Sequence, residues 1–181
     1  MKRRSIAIDG PAGAGKSTLA RQVAKELGFL YVDTGAIYRT VALKTLRCGV
    51  DASQSQQVIP LLDHLDIRMD YGPDGGQRMF LEGEDVSQAI REHQVSGIAS
   101  QVAAIPAVRD FLLEFQRKLA REHDVVMDGR DIGTVVLPQA DDQRILILLF
   151  KIQYVFNRSA AEFVNALVVV AHNTDVFVFS R

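Results

Sequence analysis

Apolar positions along this chain fall into short runs that alternate with helical stripes. Residues 5–8 are a brief apolar run of strand type, and Lys16–Leu27 follows with Leu19, Val23 and Leu27 spaced for one helix face. Gly28 is placed to close that helix, and residues 29–32 predict a short buried strand. Thr34 is positioned to cap a second helix reaching about Cys48, with Ile37, Val41, Leu43 and Leu46 on its apolar face and Gly49 ending it. Residues 56–65 have helical spacing interrupted by Pro60.

The period then changes. Residues 66–70 alternate, residues 72–76 (Gly-Pro-Asp-Gly-Gly) form a turn, and residues 77–81 alternate again, which predicts a β-hairpin. A hairpin of this kind does not continue a parallel sheet, so residues 66–104 are expected to form a small inserted subdomain. The helical period returns in residues 95–104 and in 107–122, the latter with Val108, Leu112, Phe115 and Leu119 inward. Residues 125–127 predict a buried strand. Residues 144–156 begin as another and stay apolar too long for a typical one. Residues 160–171 fit helix or strand, and 176–179 fit strand. Strands alternating with helices predict the α/β class, a doubly wound parallel sheet in a single domain.

Chemistry enters at the first strand–helix junction. Gly10-Pro11-Ala12-Gly13-Ala14-Gly15-Lys16-Ser17-Thr18 follows the strand and opens the helix in the G-x-x-x-x-G-K-S pattern of a phosphate-binding loop. Consecutive backbone N–H groups in such a loop form an anion-binding nest, and the helix N-terminus adds partial positive charge. Lys16 supplies a full charge for the β- and γ-phosphates, and Ser17 a hydroxyl for Mg²⁺. The pattern specifies a nucleoside triphosphate and leaves the acceptor open.

In α/β sheets ligands bind beyond the carboxyl ends of strands. Two further predicted strand ends carry suitable residues: Asp33-Thr34-Gly35 with Tyr38 and Arg39, and Asp128-Gly129-Arg130-Asp131. Arginine suits bidentate phosphate recognition, so Arg39, Arg109 and Arg130 are candidate clamps for an acceptor phosphate. Asp128 and Asp131 are candidates for Mg²⁺-bound waters or polar groups of the acceptor. Each has a plainer reading: a solvated helix charge for Arg109, and a turn with an internal ion pair for residues 128–131. His64, His93, His123 and His172 stand isolated and are assigned no chemistry.

Bulk properties narrow the partners. A chain of 181 residues with net charge −1 has room for a real core and offers no electrostatic pull toward nucleic acid or an anionic membrane. The single cysteine, Cys48, excludes an internal disulfide framework and a multi-cysteine metal site. The basic start Met1-Lys2-Arg3-Arg4 precedes an apolar run too short for a signal-peptide core, and no apolar run approaches the roughly 20 residues of a membrane span. Asn157-Arg158-Ser159 fits a glycosylation acceptor by chance. A cytoplasmic monomer with small-molecule partners is expected.

Five blocks in order resemble the bacterial cytidylate kinase family: residues 8–17, 33–39, 81–86 (Leu-Glu-Gly-Glu-Asp-Val), 99–103 (Ala-Ser-Gln-Val-Ala) and 128–136 (Asp-Gly-Arg-Asp-Ile-Gly-Thr-Val-Val). The resemblance runs from about Ile6 to about Pro138. It implies a P-loop nucleoside monophosphate kinase fold and transfer of the ATP γ-phosphate to CMP or dCMP, with Mg²⁺. It further implies that the inserted hairpin enlarges the monophosphate-binding region. Thr34 (usually Ser in the family), Arg39, Ser100, Arg109, Arg130 and Asp131 would hold the CMP, with Lys16, Arg130 and Asp131 carrying catalysis.

After about Asp142 the chain departs from the family. Residues 151–181 contain Lys151, Arg158 and Arg181 as their only Lys or Arg cations, where relatives place an Arg-rich lid helix and a further Arg- and Asp-bearing helix. Residues 143–181 are therefore expected to be a divergent, lid-lacking tail, truncated or altered. Three readings follow: a CMP kinase-like enzyme, a nucleotide-binding remnant without turnover, and a P-loop kinase for another small acceptor.

Overall fold

In the computed structural model, which describes residues 3–11, 13–73, 75–140, 142–146, 168–172 and 175–179, the chain divides into two compact units. One joins Met1–Tyr31 to Ala120–Arg181; the other is Val32–Leu119.

The first unit is built on a sheet in which β1 (Ser5–Asp9) runs parallel to β6 (Val125–Gly129) on one side and to β7 (Asp142–Leu146) on the other. Two more strands, β8 (Val168–His172) and β9 (Asp175–Phe179), continue it in antiparallel fashion. With β2 (Leu30–Asp33) at the opposite edge, the order is β2-β6-β1-β7-β8-β9. The apolar run of residues 5–8 is the sheet's centre, as a strand covered on both faces requires. Ile6, Ile8 and Val126 pack with Ala20, Ala24 and Phe29, flanked by half-buried Leu19, Val23 and Tyr31. Full burial of one such aliphatic side chain is worth about 1.5–3 kcal/mol.

Helix α1 (Lys16–Leu27) has the predicted bounds and ends at Gly28 in the left-handed conformation, φ 68°. Its inward face differs from the expected stripe. The small residues Ala20 and Ala24 are buried, which lets the helix lie close to the sheet, while Leu27 is 48% exposed in the last turn.

The second unit is organised by α2 (Thr34–Arg47), which packs on α3 (Ser55–Leu62), on α4 (His93–Val102) and on strand β4 (Gln77–Leu81). Its apolar face includes Ile37, Val41 and Leu43, as the spacing predicts. Buried Thr40 and Thr45 donate their hydroxyls to the carbonyls of Ala36 and Val41, so no polar group is stranded there. The expected cap, Thr34, is instead the first helical residue. Asp33 is the cap, its carboxylate accepting the Ala36 N–H at 3.0 Å.

Strands β3 (Ile67–Tyr71) and β4 form the predicted antiparallel hairpin, joined by β5 (Glu84–Asp85). Lys44 and Arg47 of α2 pair with Glu82 and Glu84 at its far turn. The Glu82 hydrogen bond holds the Lys44 ammonium above its usual pKa, and Arg47 depresses that of Glu84. Helix α5 (Pro106–Glu122) buries Val108 and Leu112 but turns Gln116 inward, leaving Phe115 and Leu119 only half-buried. Its amide satisfies itself within the helix, donating to Leu112 O at 2.9 Å. The later part of the 144–156 run, residues 160–167, Asn157-Arg158-Ser159, Lys151 and Arg181 lie outside the described residues.

Candidate active site

The loop between β1 and α1 has the conformation its glycines predict. Gly13 and Gly15 take φ of 76° and 74°, a left-handed backbone that a Cβ would strain. Gly15 is also the N-cap of α1 and has no side chain to offer, so no side chain caps the opening N–H groups of Lys16 and Ser17, while that of Thr18 donates to the Gly15 carbonyl at 3.1 Å. Lys16 Nζ donates to the Pro11 carbonyl at 2.6 Å, folding the ammonium back over the loop. Ala12 lies outside the described residues.

At the root of the loop Ser17 meets the neighbouring strand. Its hydroxyl donates to Asp128 Oδ2 at 2.6 Å, and the Tyr31 hydroxyl donates to Oδ1 at 3.1 Å. Asp128 is 4% exposed and sits near the end of β6, one register step before the pair Asp9–Gly129. A serine hydroxyl and a carboxylate are hard oxygen donors, the set Mg²⁺ prefers, so the residues present fit that ion. The Arg130-Asp131 segment follows directly. A π-helical turn, Ile132–Val136, comes next, closed by N–H groups of Val136 and Leu137 on the carbonyls of Asp131 and Ile132. The carboxylate of Asp9 accepts the N–H groups of Ile132 and Gly133, each at 2.7 Å.

In the second unit the segment at the start of α2 forms its own constellation. Arg39 Nη2 pairs with Asp33 Oδ2 at 2.9 Å, one helical turn along from the cap bond. The pair lies across Gly35: a Cβ there would sit 3.0 Å from both Arg39 Nη1 and Asp33 Oδ1. Gln77 of β4 completes it, accepting the Asp33 N–H at 2.7 Å and donating to the Asp33 carbonyl at 3.3 Å. Thr34 is buried in the first turn of α2, Ser100 is on the exposed face of α4, and Arg109 is exposed near the start of α5.

The structure thus brings Ser17 to Asp128, and Arg39 to Asp33. Asp9, Tyr31 and Gln77 were not singled out by sequence, and Asp33 was read as part of its strand end but not as the cap of α2. For Asp33 a signal existed: Asp precedes Thr34 and outranks Thr as an N-cap. Gln77 had none, since its partner lies 44 residues away.

A parallel sheet with a phosphate loop at its first strand end, a helix behind it and a small antiparallel sheet elsewhere is the fold of the P-loop nucleoside monophosphate kinases. A family model described as cytidylate kinase matches residues 6–150. Relatives named cytidylate kinase include those of Symbiobacterium thermophilum, 54% identical over 136 residues (75% of this chain, 60% of the relative), and Pelotomaculum thermopropionicum, 55% over 137 residues (76% and 61%). A third, from Limosilactobacillus fermentum, is 51% identical over 140 residues (77% and 61%). The chain belongs to the cytidylate kinase family. The matched part spans about three fifths of the length of these relatives.

Proposed function

We propose that this chain is an ATP-dependent nucleoside monophosphate kinase acting on CMP and dCMP. The observation that carries it is the Ser17–Asp128 hydrogen bond at the root of the phosphate loop, in a chain that belongs to this family. ATP would lie along Gly10, Pro11, Ala12, Gly13, Ala14, Gly15, Lys16, Ser17 and Thr18, its β- and γ-phosphates on the N–H nest and on Lys16. Binding requires Lys16 to exchange the Pro11 carbonyl for phosphate oxygens, which are stronger acceptors for an ammonium. Ser17 and Asp128 would hold Mg²⁺, which when bound neutralises charge on the phosphates.

Thr34, Arg39, Ser100, Arg109, Arg130 and Asp131 are the proposed acceptor set, within a monophosphate-binding region that includes residues 66–104. The arginines offer planar forks that match a phosphate. Phosphoryl transfer needs positioning and charge stabilisation more than covalent chemistry, and these groups supply both. Small nucleotides are the proposed partners and the cytoplasm the proposed compartment. No helix among the described residues is long and apolar enough to cross a membrane.

A second reading, nucleotide binding without turnover, is favoured by the tail. Residues 151–181 carry Lys151, Arg158 and Arg181 as their only Lys or Arg cations, and a lid must bring charge to the γ-phosphate and exclude water. A coupled ADP-release assay with ATP, Mg²⁺ and a panel of CMP, dCMP, UMP, AMP and GMP, run beside calorimetry, separates the readings. ADP release confined to CMP and dCMP supports the first; binding of ATP and CMP without ADP release selects the second. Equal turnover of AMP would refute the cytidylate preference.

A further inference from the structure

We propose that Asp9 is a positioning residue that fixes the Arg130-Asp131 segment relative to the phosphate loop, an inference that rests on the roles proposed above for those two segments. Asp9 is the last residue of β1 and 6% exposed. A carboxylate that deep needs partners for both oxygens. It has them in two consecutive backbone N–H groups, Ile132 on Oδ1 and Gly133 on Oδ2, both at 2.7 Å. These are the opening N–H groups of the π-helical turn Ile132–Val136, which its own hydrogen bonds leave unused.

The placement does more than close a turn. In the parallel ladder Asp9 stands opposite Gly129. One residue therefore holds both ends of the Arg130-Asp131 segment: its main chain is in register with the residue before it, and its side chain grips the two residues after it. On its own carboxyl side Asp9 is bonded directly to Gly10, the first residue of the phosphate loop. Donor loop and Arg130-Asp131 segment thus leave the sheet from a shared pin, so a shift in one is transmitted to the other through a single side chain. A carboxylate that served folding alone would have no reason to act through Arg130.

Asp9→Asn keeps the shape but replaces one acceptor oxygen with a donor that faces an N–H. Calorimetry with CMP on the wild type, Asp9→Asn, Arg130→Ala and the double variant tests the coupling. Asp9→Asn is expected to weaken CMP binding by up to about 10²-fold, the upper end of the coupling between residues in one network, and to have little further effect in the Arg130→Ala background. An equal loss in both backgrounds overturns the proposal. Two NMR measurements need neither CMP nor turnover. The wild-type Ile132 and Gly133 amides should exchange slowly with solvent, and fast exchange at both overturns the proposal even if Asp9→Asn fails to fold. In a folded Asp9→Asn protein the Arg130 and Asp131 amide resonances should move, and unmoved resonances overturn it too. If the wild type binds ATP but no CMP, the proposed function falls while these amides still decide the role of Asp9.

Discussion

Replacing Gly35 with alanine sets a general rule against a local one. Gly35 is the second residue of α2, and glycine within a helix costs about 0.5–1 kcal/mol relative to alanine, so the change should stabilise the protein. Here the new Cβ would meet Arg39 Nη1 and Asp33 Oδ1, each at 3.0 Å, several tenths of an ångström inside ordinary contact. Asp33 Oδ1 cannot retreat freely, because it also accepts the Ala36 N–H at 3.0 Å. Loss of an N-cap costs about 1 kcal/mol. The Arg39–Asp33 pair, with side chains 24% and 27% exposed, is worth about 0.2–1 kcal/mol on the scale of solvent-exposed pairs. If the cap and pair are both lost, their sum exceeds the propensity gain, and the net change is a loss of about 0.2–1.5 kcal/mol. Denaturant unfolding with the m-value checked for constancy measures it, and calorimetry with CMP reports whether Arg39 has been displaced. A gain near 1 kcal/mol with unchanged CMP affinity would refute the reasoning, because the pair would then slide aside without cost and Gly35 would not shape it.

Lys16→Ala should lower kcat by about 10²–10³-fold, the scale of one lost preorganised donor, and normal ATP turnover in that variant would remove the phosphate loop from the chemistry. Asp128→Asn leaves the Ser17 hydroxyl an oxygen acceptor but removes the carboxylate charge; the Mg²⁺ concentration needed for half-maximal activity should rise, and an unchanged Mg²⁺ titration would refute a metal role. Acid should destabilise the second unit in a defined window. Ser53 and Ser87 hydrogen-bond Asp51 and Asp85 and hold their carboxyls below the ordinary 3.8. That stability is present above the unfolded-state value and is lost as pH falls through the folded-state one. The denaturation midpoint should drop below about pH 4, less steeply in Asp51→Asn/Asp85→Asn, and identical acid limbs would count against these hydrogen bonds.

Much of the architecture was legible because period and punctuation agree. Residues 66–81 alternate around a Gly-rich turn, and they form the β3–β4 hairpin. Lys16–Leu27 lies between a loop glycine and Gly28, and α1 has those bounds. The misses share a cause: burial is decided by the partner surface, which periodicity does not contain. Leu27 lies on the apolar stripe yet ends up beyond the sheet's cover, whereas Gln116, polar in any sequence reading, turns inward by satisfying its amide on its own helix. In the candidate site, the loop residues could be read because consecutive residues make the motif. Asp9, Tyr31 and Gln77 could not, because their partners lie 123 and 124, 97 and 44 positions away.

Gln77 constrains how freely the hairpin could be exchanged for another. Its side-chain amide bonds both the N–H and the carbonyl of Asp33, standing in for a single residue of a neighbouring strand. A hairpin transplanted from a relative would bring its own turn and cross-strand pairing, and would still have to present an amide at this one position. Glutamate there would accept the Asp33 N–H but set an oxygen against the Asp33 carbonyl, and an aliphatic residue would remove this partner from both groups. The grafting boundary is therefore chemical as well as topological: besides the buried Ile67, Met79 and Leu81 of the β3–β4 ladder, the first β4 position has to keep one donor and one acceptor on the same side chain.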